Sequence, residues 1–353
     1  MATTTTNFRL IGYDTLGADG EEGIRYAWKH PSSTFYVESA AFSRRSKMSK
    51  EDICGYTTSV SSGCILKSMN IACKFCRTGT LLPFVERLTS AEIAKENVFM
   101  VLSDMHCSDH IGLRTNQREF AYMGQGEPGF SYNQVREAIQ LTNIAMKGLG
   151  QVVFRHIVAT SGIPQMVKSY VNDLKMGFFS SRTTMHFSLH GTVKRSGIMP
   201  IETRFPYKES LESLSEIVNI SGEKPCMGIL LLNNFMPLNT TQVCTTDFDT
   251  VKQILSELNP ELFRLSFCEF NGSPDLGSFD NYDSQLSKKI LFYAQSIGFE
   301  AKLFSSFGKD EVTACGMLGG KEPENAPSAK WVDLEQQAEQ IVTDAIGTLN
   351  SNT

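Results

Sequence analysis

The run Cys64-Ile65-Leu66-Lys67-Ser68-Met69-Asn70-Ile71-Ala72-Cys73-Lys74-Phe75-Cys76 places three cysteines within thirteen residues. Three thiolates can hold three irons of a four-iron cluster and leave the fourth iron open to a ligand. The run therefore points to one-electron chemistry. Eight residues separate the first two cysteines, whereas Cys73-Lys74-Phe75-Cys76 keeps a gap of two. On these residues alone two other readings stay open: a structural zinc knuckle, which needs a fourth Cys or His, and a redox dithiol of Cys73 and Cys76.

From about residue 57 the chain alternates short β-rich runs with amphipathic segments, the pattern of parallel strands joined by crossover helices. Strands are expected near 57–63, 119–124, 152–159, 184–190, 227–232 and 262–270, with a shorter run at 300–304. Thr89-Ser90-Ala91-Glu92 is a capping box, and Val135, Ala138, Ile139, Ala145 and Met146 share one helix face. Six such units suit an α/β fold, an incomplete, splayed (β/α)6 barrel. Ligands in such sheets bind at the carboxyl ends of the strands, where the cysteine run lies. Ahead of it, 25–29 and 34–38 read as a hairpin, a small N-terminal β appendage. The expected organisation is residues 1–53 for this hairpin region, 54–322 for the core and 323–353 for a C-terminal helical tail.

The 353 residues are 41% hydrophobic and 20% charged, an ordinary globular balance. A net charge of −5 gives no general attraction to polyanions, so nucleic-acid binding would need a local basic patch. The first residues lack the basic and apolar regions of a signal peptide, and no apolar run is long enough to span a bilayer. A cytoplasmic protein without membrane contact is expected. In that reducing setting the nine cysteines serve ligation, catalysis or burial rather than disulfides. Burial is the reading for Cys226, Cys244 and Cys268. His106, Cys107 and His110 resemble an inserted polar loop more than a metal site.

Near the second strand's end stands Tyr122-Met123-Gly124-Gln125-Gly126-Glu127-Pro128, whose glycines allow close backbone approach and whose carboxylate can meet an ammonium group. Ala159-Thr160-Ser161-Gly162, Ser188-Leu189-His190-Gly191 and Phe270-Asn271-Gly272-Ser273-Pro274 close later strands with small or polar groups. A cluster loop with a vacant iron is the hallmark of radical S-adenosylmethionine (SAM) enzymes, and Phe75 matches the aromatic they place beside the adenine. The ordered set of Met123–Pro128, Ser188–His190, the Asn271 region and Ala314-Cys315-Gly316-Met317-Leu318 resembles the RlmN/Cfr family of radical SAM methyltransferases, over about residues 23–320.

The resemblance implies a 4Fe-4S cluster on Cys64, Cys73 and Cys76, and SAM bound by Phe75, Gly126, Glu127, Ser161, Ser188, Leu189, His190 and Asn271. It also implies methylation of an sp2 carbon through a methylated Cys315, with Glu38 as proton acceptor and a second cysteine that releases the adduct. Cys54 is the candidate for that second thiol, but it lies nine residues before Cys64 where the family has six, a spacing that points to Thr57. Its other reading is a buried or loop thiol. The family's N-terminal helical domain is not expected, since 37 residues precede Glu38. The substrate is expected to be RNA or a small heteroaromatic molecule, and the electron donor a flavodoxin or ferredoxin. The first rival is a 5′-deoxyadenosyl-radical enzyme that modifies a metabolite or peptide without methyl transfer; the second is a non-catalytic or zinc-binding RNA adaptor that has kept the scaffold.

Overall fold

Ten strands form one sheet in the computed structural model, which describes residues 7–16, 23–45, 52–106, 115–191, 194–270, 272–304 and 318–351. In spatial order, which is also chain order, they are β1 (Arg9–Leu16), β2 (Gly23–Lys29), β3 (Tyr36–Arg45), β4 (Asp52–Thr58), β5 (Gln117–Tyr122), β6 (Val152–Thr160), β7 (Thr183–Ser188), β8 (Cys226–Leu231), β9 (Arg264–Glu269) and β10 (Ala301–Phe304). The first three and β4 pair antiparallel; from β4 to β10 every neighbouring pair is parallel. Seven parallel strands joined by six crossovers give the sheet of an incomplete (β/α)6 barrel.

The helices are α1 (Ile65–Ser68), α2 (Arg77–Leu81), α3 (Ser90–His106), α4 (Tyr132–Gly148), α5 (Pro164–Lys175), α6 (Arg195–Ile198), α7 (Lys208–Ser221), α8 (Phe248–Ser256), α9 (Ser284–Ser296) and α10 (Ala329–Ser351). The capping box closes reciprocally at the start of α3: the Thr89 amide donates to Glu92 at 2.8 Å and the Glu92 amide to Thr89 Oγ1 at 3.2 Å. All five apolar residues expected on one face of α4 are buried. None of the described helices is long and apolar enough to cross a membrane.

Alternation divides the parallel sheet into two faces. Tyr56, Phe120, Val158, Met185, Phe187, Met227, Ile229, Leu265 and Phe267 are buried on the helix-covered face. The opposite, inner face is small and polar: Thr57 registers with Ala121, Ala159 with His186, and Gly228 with Ser188 and Ser266. The same set continues onto β3 and β2, where Ala40 faces Thr57 and Glu38 faces Ala27.

The hairpin expected at 25–38 is present as β2 and β3, and it joins the main sheet through β4. It is preceded by β1, which alternation alone did not reveal. These strands share the core: Trp28 stacks on Phe8 at 5.2 Å and meets Phe99 of α3 edge-on, while Trp331 of α10 covers Tyr13 and Tyr26. The first parallel strand ends at Thr58, five residues before the expected 57–63 end. Past it Ser61 and Ser62 pair antiparallel with Arg87 and Glu86 in a separate two-stranded ladder, while Ser59 Oγ donates to the Glu38 carbonyl (2.6 Å) and Ser61 Oγ to the Gly63 carbonyl (2.6 Å).

Candidate cluster and SAM site

The chain leaves β4 and turns at Gly63, whose φ of +73° and approach to the Pro83 carbonyl (2.0 Å from an added Cβ) exclude other residues. Cys64 follows as the N-cap of α1. The extra residues of the loop form this one helical turn and its return: the Asn70 amide bonds back to Lys67 and the Ile71 amide to Leu66, after which Cys73 and Cys76 come round to the start of α2. The long spacing is thus taken up by a turn that folds back on itself. Cys76 Sγ accepts the Gly79 amide at 3.5 Å.

The three thiols share one environment. Burial pushes Cys64 up to about 12, reinforced by the charge of Cys76; burial also raises Cys73, with Cys76, Cys64 and Glu127 adding to it. Three thiolates there need a cation to hold them ionised. No group of three His, Cys, Asp or Glu among the described residues, Cys64, Cys73 and Cys76 included, is arranged to hold a metal ion. The three thiols nevertheless feel one another's charge, and as ligands they would leave one iron of a four-iron cluster open.

Around these thiols the strand ends converge. Glu127, buried, accepts the Ser161 amide (2.9 Å), the Ser161 hydroxyl, the Thr160 hydroxyl (2.7 Å) and the Gly129 amide (2.8 Å). Its carboxylate therefore orders the loop after β6 as well as standing near the thiols. Gly126 was expected to let a ligand approach. It instead approaches the chain itself: at φ +99° an added Cβ would stand 2.2 Å from Ser61 Oγ, so this glycine packs the motif onto the entry to the cluster loop.

His190 sits in the left-handed region at φ +53°, and its ring meets Phe75 edge-on at 4.8 Å. Burial, reinforced by the Arg195 cation, pushes its imidazole down to about 3, so it is neutral. Its Nδ1 is sealed from solvent and has no hydrogen-bond partner among the described residues. An orphaned polar atom between an aromatic ring and a polar strand-end loop fits the edge of a bound SAM. Ser188 ends β7 on the inner face beside it; Leu189 is fully buried, its amide donating to the Phe187 carbonyl at 3.0 Å and its carbonyl accepting Arg195 Nε at 2.8 Å, so it is not free to meet a ligand.

Glu38 reaches this region from the N-terminal strands. Its carboxylate pairs with Arg25 and accepts Gln125 Nε2 (3.0 Å) and the Gly320 amide (2.7 Å). Burial raises it above the usual carboxylate range, with Arg25 opposing. Arg25 also pairs with Asp14 and donates to the Lys321 carbonyl at 3.1 Å. Sequence reasoning singled out neither Arg25, Gln125 nor Arg195, since each belongs to a spatial rather than a sequential set.

Cys54 is not brought to this mouth. It lies near the start of β4 and shares the strand face of Tyr56, whose hydroxyl bonds Asp104 of α3 and accepts Arg118 Nη1 at 2.8 Å. Burial, then the Asp104 charge, pushes the Cys54 thiol up to about 12. Four residues of strand, about 13 Å, and the opposite face separate it from the strand's carboxyl end. On the inner face near that end stands Thr57. Cys315, Asn271, Cys107 and His110 lie outside the described residues.

No protein-family model matches the chain. Its curated relatives include a dual-specificity RNA methyltransferase RlmN from Paramagnetospirillum magneticum, 27% identical over 310 residues, covering 85% of this chain and 60% of the relative. A ribosomal RNA large subunit methyltransferase Cfr from Bacillus velezensis is 26% identical over 277 residues, covering 75% of this chain and 70% of its own length. A solved radical SAM methyltransferase from Sphaerobacter thermophilus superposes with a TM-score of 0.71 at 18% identity, over 90% of this chain and 82% of that one. The chain spans 60% or less of the length of the first three relatives it matches. Its sequence is thus similar over most of its length to proteins named RlmN and Cfr, and its fold is that of a radical SAM methyltransferase.

Proposed function

We propose that this protein is a radical SAM enzyme that holds a 4Fe-4S cluster on Cys64, Cys73 and Cys76 and methylates an sp2 carbon through Cys315. The carrying observation is the convergence of the three thiols with Glu127, Ser161 and His190 at the carboxyl ends of β4 to β7. When bound, the cluster and SAM supply one-electron cleavage to a 5′-deoxyadenosyl radical. The chain's own residues hold the ligands: His190 Nδ1 offers a free hydrogen-bonding position, Phe75 an aromatic edge, and Glu127 a fixed loop.

The segment beyond Cys315 supports its part in this reading. Leu318 follows Cys315 by three residues, and its carbonyl accepts Thr78 Oγ1 at 2.6 Å, two residues past Cys76. Glu38, through Gly320, holds the same segment; to take a substrate proton its buried carboxylate would have to give up Arg25, Gln125 or the Gly320 amide. The Cys315–substrate bond must then be broken by a second thiol that closes a disulfide with Cys315; Cys54, on the helix-covered face of β4, does not stand where it could do this, so under this reading the releasing thiol comes from elsewhere than β4.

The relatives' names make an RNA nucleobase the substrate class to test first, with a free heteroaromatic metabolite second. A flavodoxin or ferredoxin would deliver the electron, and we place the enzyme in the cytoplasm. The position of Cys54 favours one alternative, a 5′-deoxyadenosyl-radical enzyme that modifies a metabolite or peptide without methyl transfer. Mass spectrometry of the Cys315 peptide after incubation with methyl-labelled SAM decides between them: one added methyl supports transfer, and an unmodified thiol with normal turnover of a Cys315→Ala variant supports the alternative.

A further inference from the structure

No motif marks the residue that joins the parts of the mouth. Arg195 opens α6, and its side chain is 1% exposed. Its guanidinium donates from Nη2 to the carbonyls of Ser161 (2.7 Å) and Ser188 (3.0 Å) and from Nε to Leu189 (2.8 Å), while Nη1 pairs with Glu202. Glu202 is itself fixed ahead of α7 by the Tyr207 amide at 3.1 Å. Carbonyls that have left a strand ladder must find other donors. Here one planar fork satisfies three of them, which a point-charged ammonium does not.

The turn that Arg195 opens is also bonded to the cluster loop, through the Lys74 amide and the Ile198 carbonyl at 2.8 Å. Three loops therefore meet at this side chain: the cluster loop and those after β6 and β7. The last of them carries His190 in its left-handed conformation, which contact between Cβ and the following carbonyl disfavours. It is held on one side by Arg195 on the Leu189 carbonyl and on the other by the His190 amide on Gly228 at 2.9 Å. That conformation turns the imidazole edge toward Phe75. Gly162, at φ +113°, lets the β6 loop pass the Phe187 ring, which would stand 3.0 Å from an added Cβ.

We propose that Arg195 is a positioning residue of the SAM site, acting through the carbonyls of Ser161, Ser188 and Leu189 to hold the His190 turn ready for the ligand. This rests on the SAM reading above. Equilibrium binding of SAM to anaerobically reconstituted protein tests it, with iron content measured alongside. Arg195→Ala should bind SAM at least about tenfold more weakly, the size of one charge-assisted hydrogen bond, with iron content unchanged. Millimolar guanidinium should restore affinity in that variant and leave the native protein unaffected, a rescue that general destabilisation would not show. Native affinity in Arg195→Ala, or a loss that guanidinium does not relieve, overturns the proposal. Should the alanine variant not fold, Arg195→Lys carries the test, and native affinity there overturns it equally. If the native protein binds no SAM, the SAM reading fails and not the role of Arg195 alone.

Discussion

Two groups of buried thiols flank one strand, and they differ in everything but acidity. Burial pushes both Cys54 and Cys64 up to about 12. Cys54 sits under α3 among Asp104, Tyr56 and Arg118, where the carboxylate and guanidinium are 3.2 Å apart and both nearly sealed. Cys64 stands in a loop with two more thiols, and Phe75 of that loop meets the ring of His190, whose Nδ1 has no hydrogen-bond partner among the described residues. The comparison teaches that a shifted thiol does not mark a reactive one; the marks are loops at strand ends, like charges held together and unmet hydrogen bonds.

The strongest way to break this contrast is through the ion pair at the Cys54 end. Arg118→Met leaves Asp104 buried without its cation, and should lower unfolding stability by about 3–5 kcal/mol in urea titrations while SAM affinity per folded molecule stays native. A loss of SAM affinity there would join the two regions. At the mouth, Glu127→Gln should weaken SAM binding by about 1.5–3 kcal/mol, because an amide cannot accept from both the Ser161 amide and the hydroxyls that Glu127 now orders. Unchanged affinity would reduce the Glu127 loop to a turn. A smaller effect belongs to Cys54→Ala, which should cost about 1 kcal/mol of stability, one buried group's worth, with SAM cleavage unaltered.

Much of this architecture was legible in the alternation. The parallel strands, the capping box at Thr89 and Glu92 and the hairpin before β4 follow from local patterns, and so do the strand-end motifs that gather at one mouth. The face on which Cys54 lies was harder to see, because spacing to Cys64 counts residues through a serine-rich turn rather than along a strand. The eight-residue gap in the cluster loop was ambiguous for a similar reason: a helical turn can return the chain to where it began. Arg195 left no trace in sequence, since its partners are main-chain carbonyls and carry no side-chain signature. Cys315 and Asn271 lie outside the described residues, and their roles rest on the resemblance and on the experiments above.

Acid stability carries a further expected effect. His156 is buried and neutral, between the Tyr122 hydroxyl (3.1 Å from Nδ1) and Asn143 Oδ1 (3.1 Å from Nε2), and burial pushes it down to about 3 from an ordinary 6.5. The unfolded chain therefore binds a proton that the folded one refuses, so the contribution is full above pH 6.5 and is lost as pH falls toward 3. His156→Gln should reduce proton uptake on unfolding by about one in that window, read from the pH dependence of urea midpoints. An unchanged slope would mean the ring is charged in the folded protein.

The central claim is that the chemistry lives on the three-thiol loop and not at Cys54, and electron paramagnetic resonance of the reduced, reconstituted protein with and without SAM tests it most directly. The native protein and Cys54→Ala should both carry about four irons and show a cluster signal that changes when SAM is added, while Cys73→Ala loses iron and signal together. A Cys73→Ala protein that keeps its iron and its response to SAM, or a folded Cys54→Ala protein that loses both, would contradict the account.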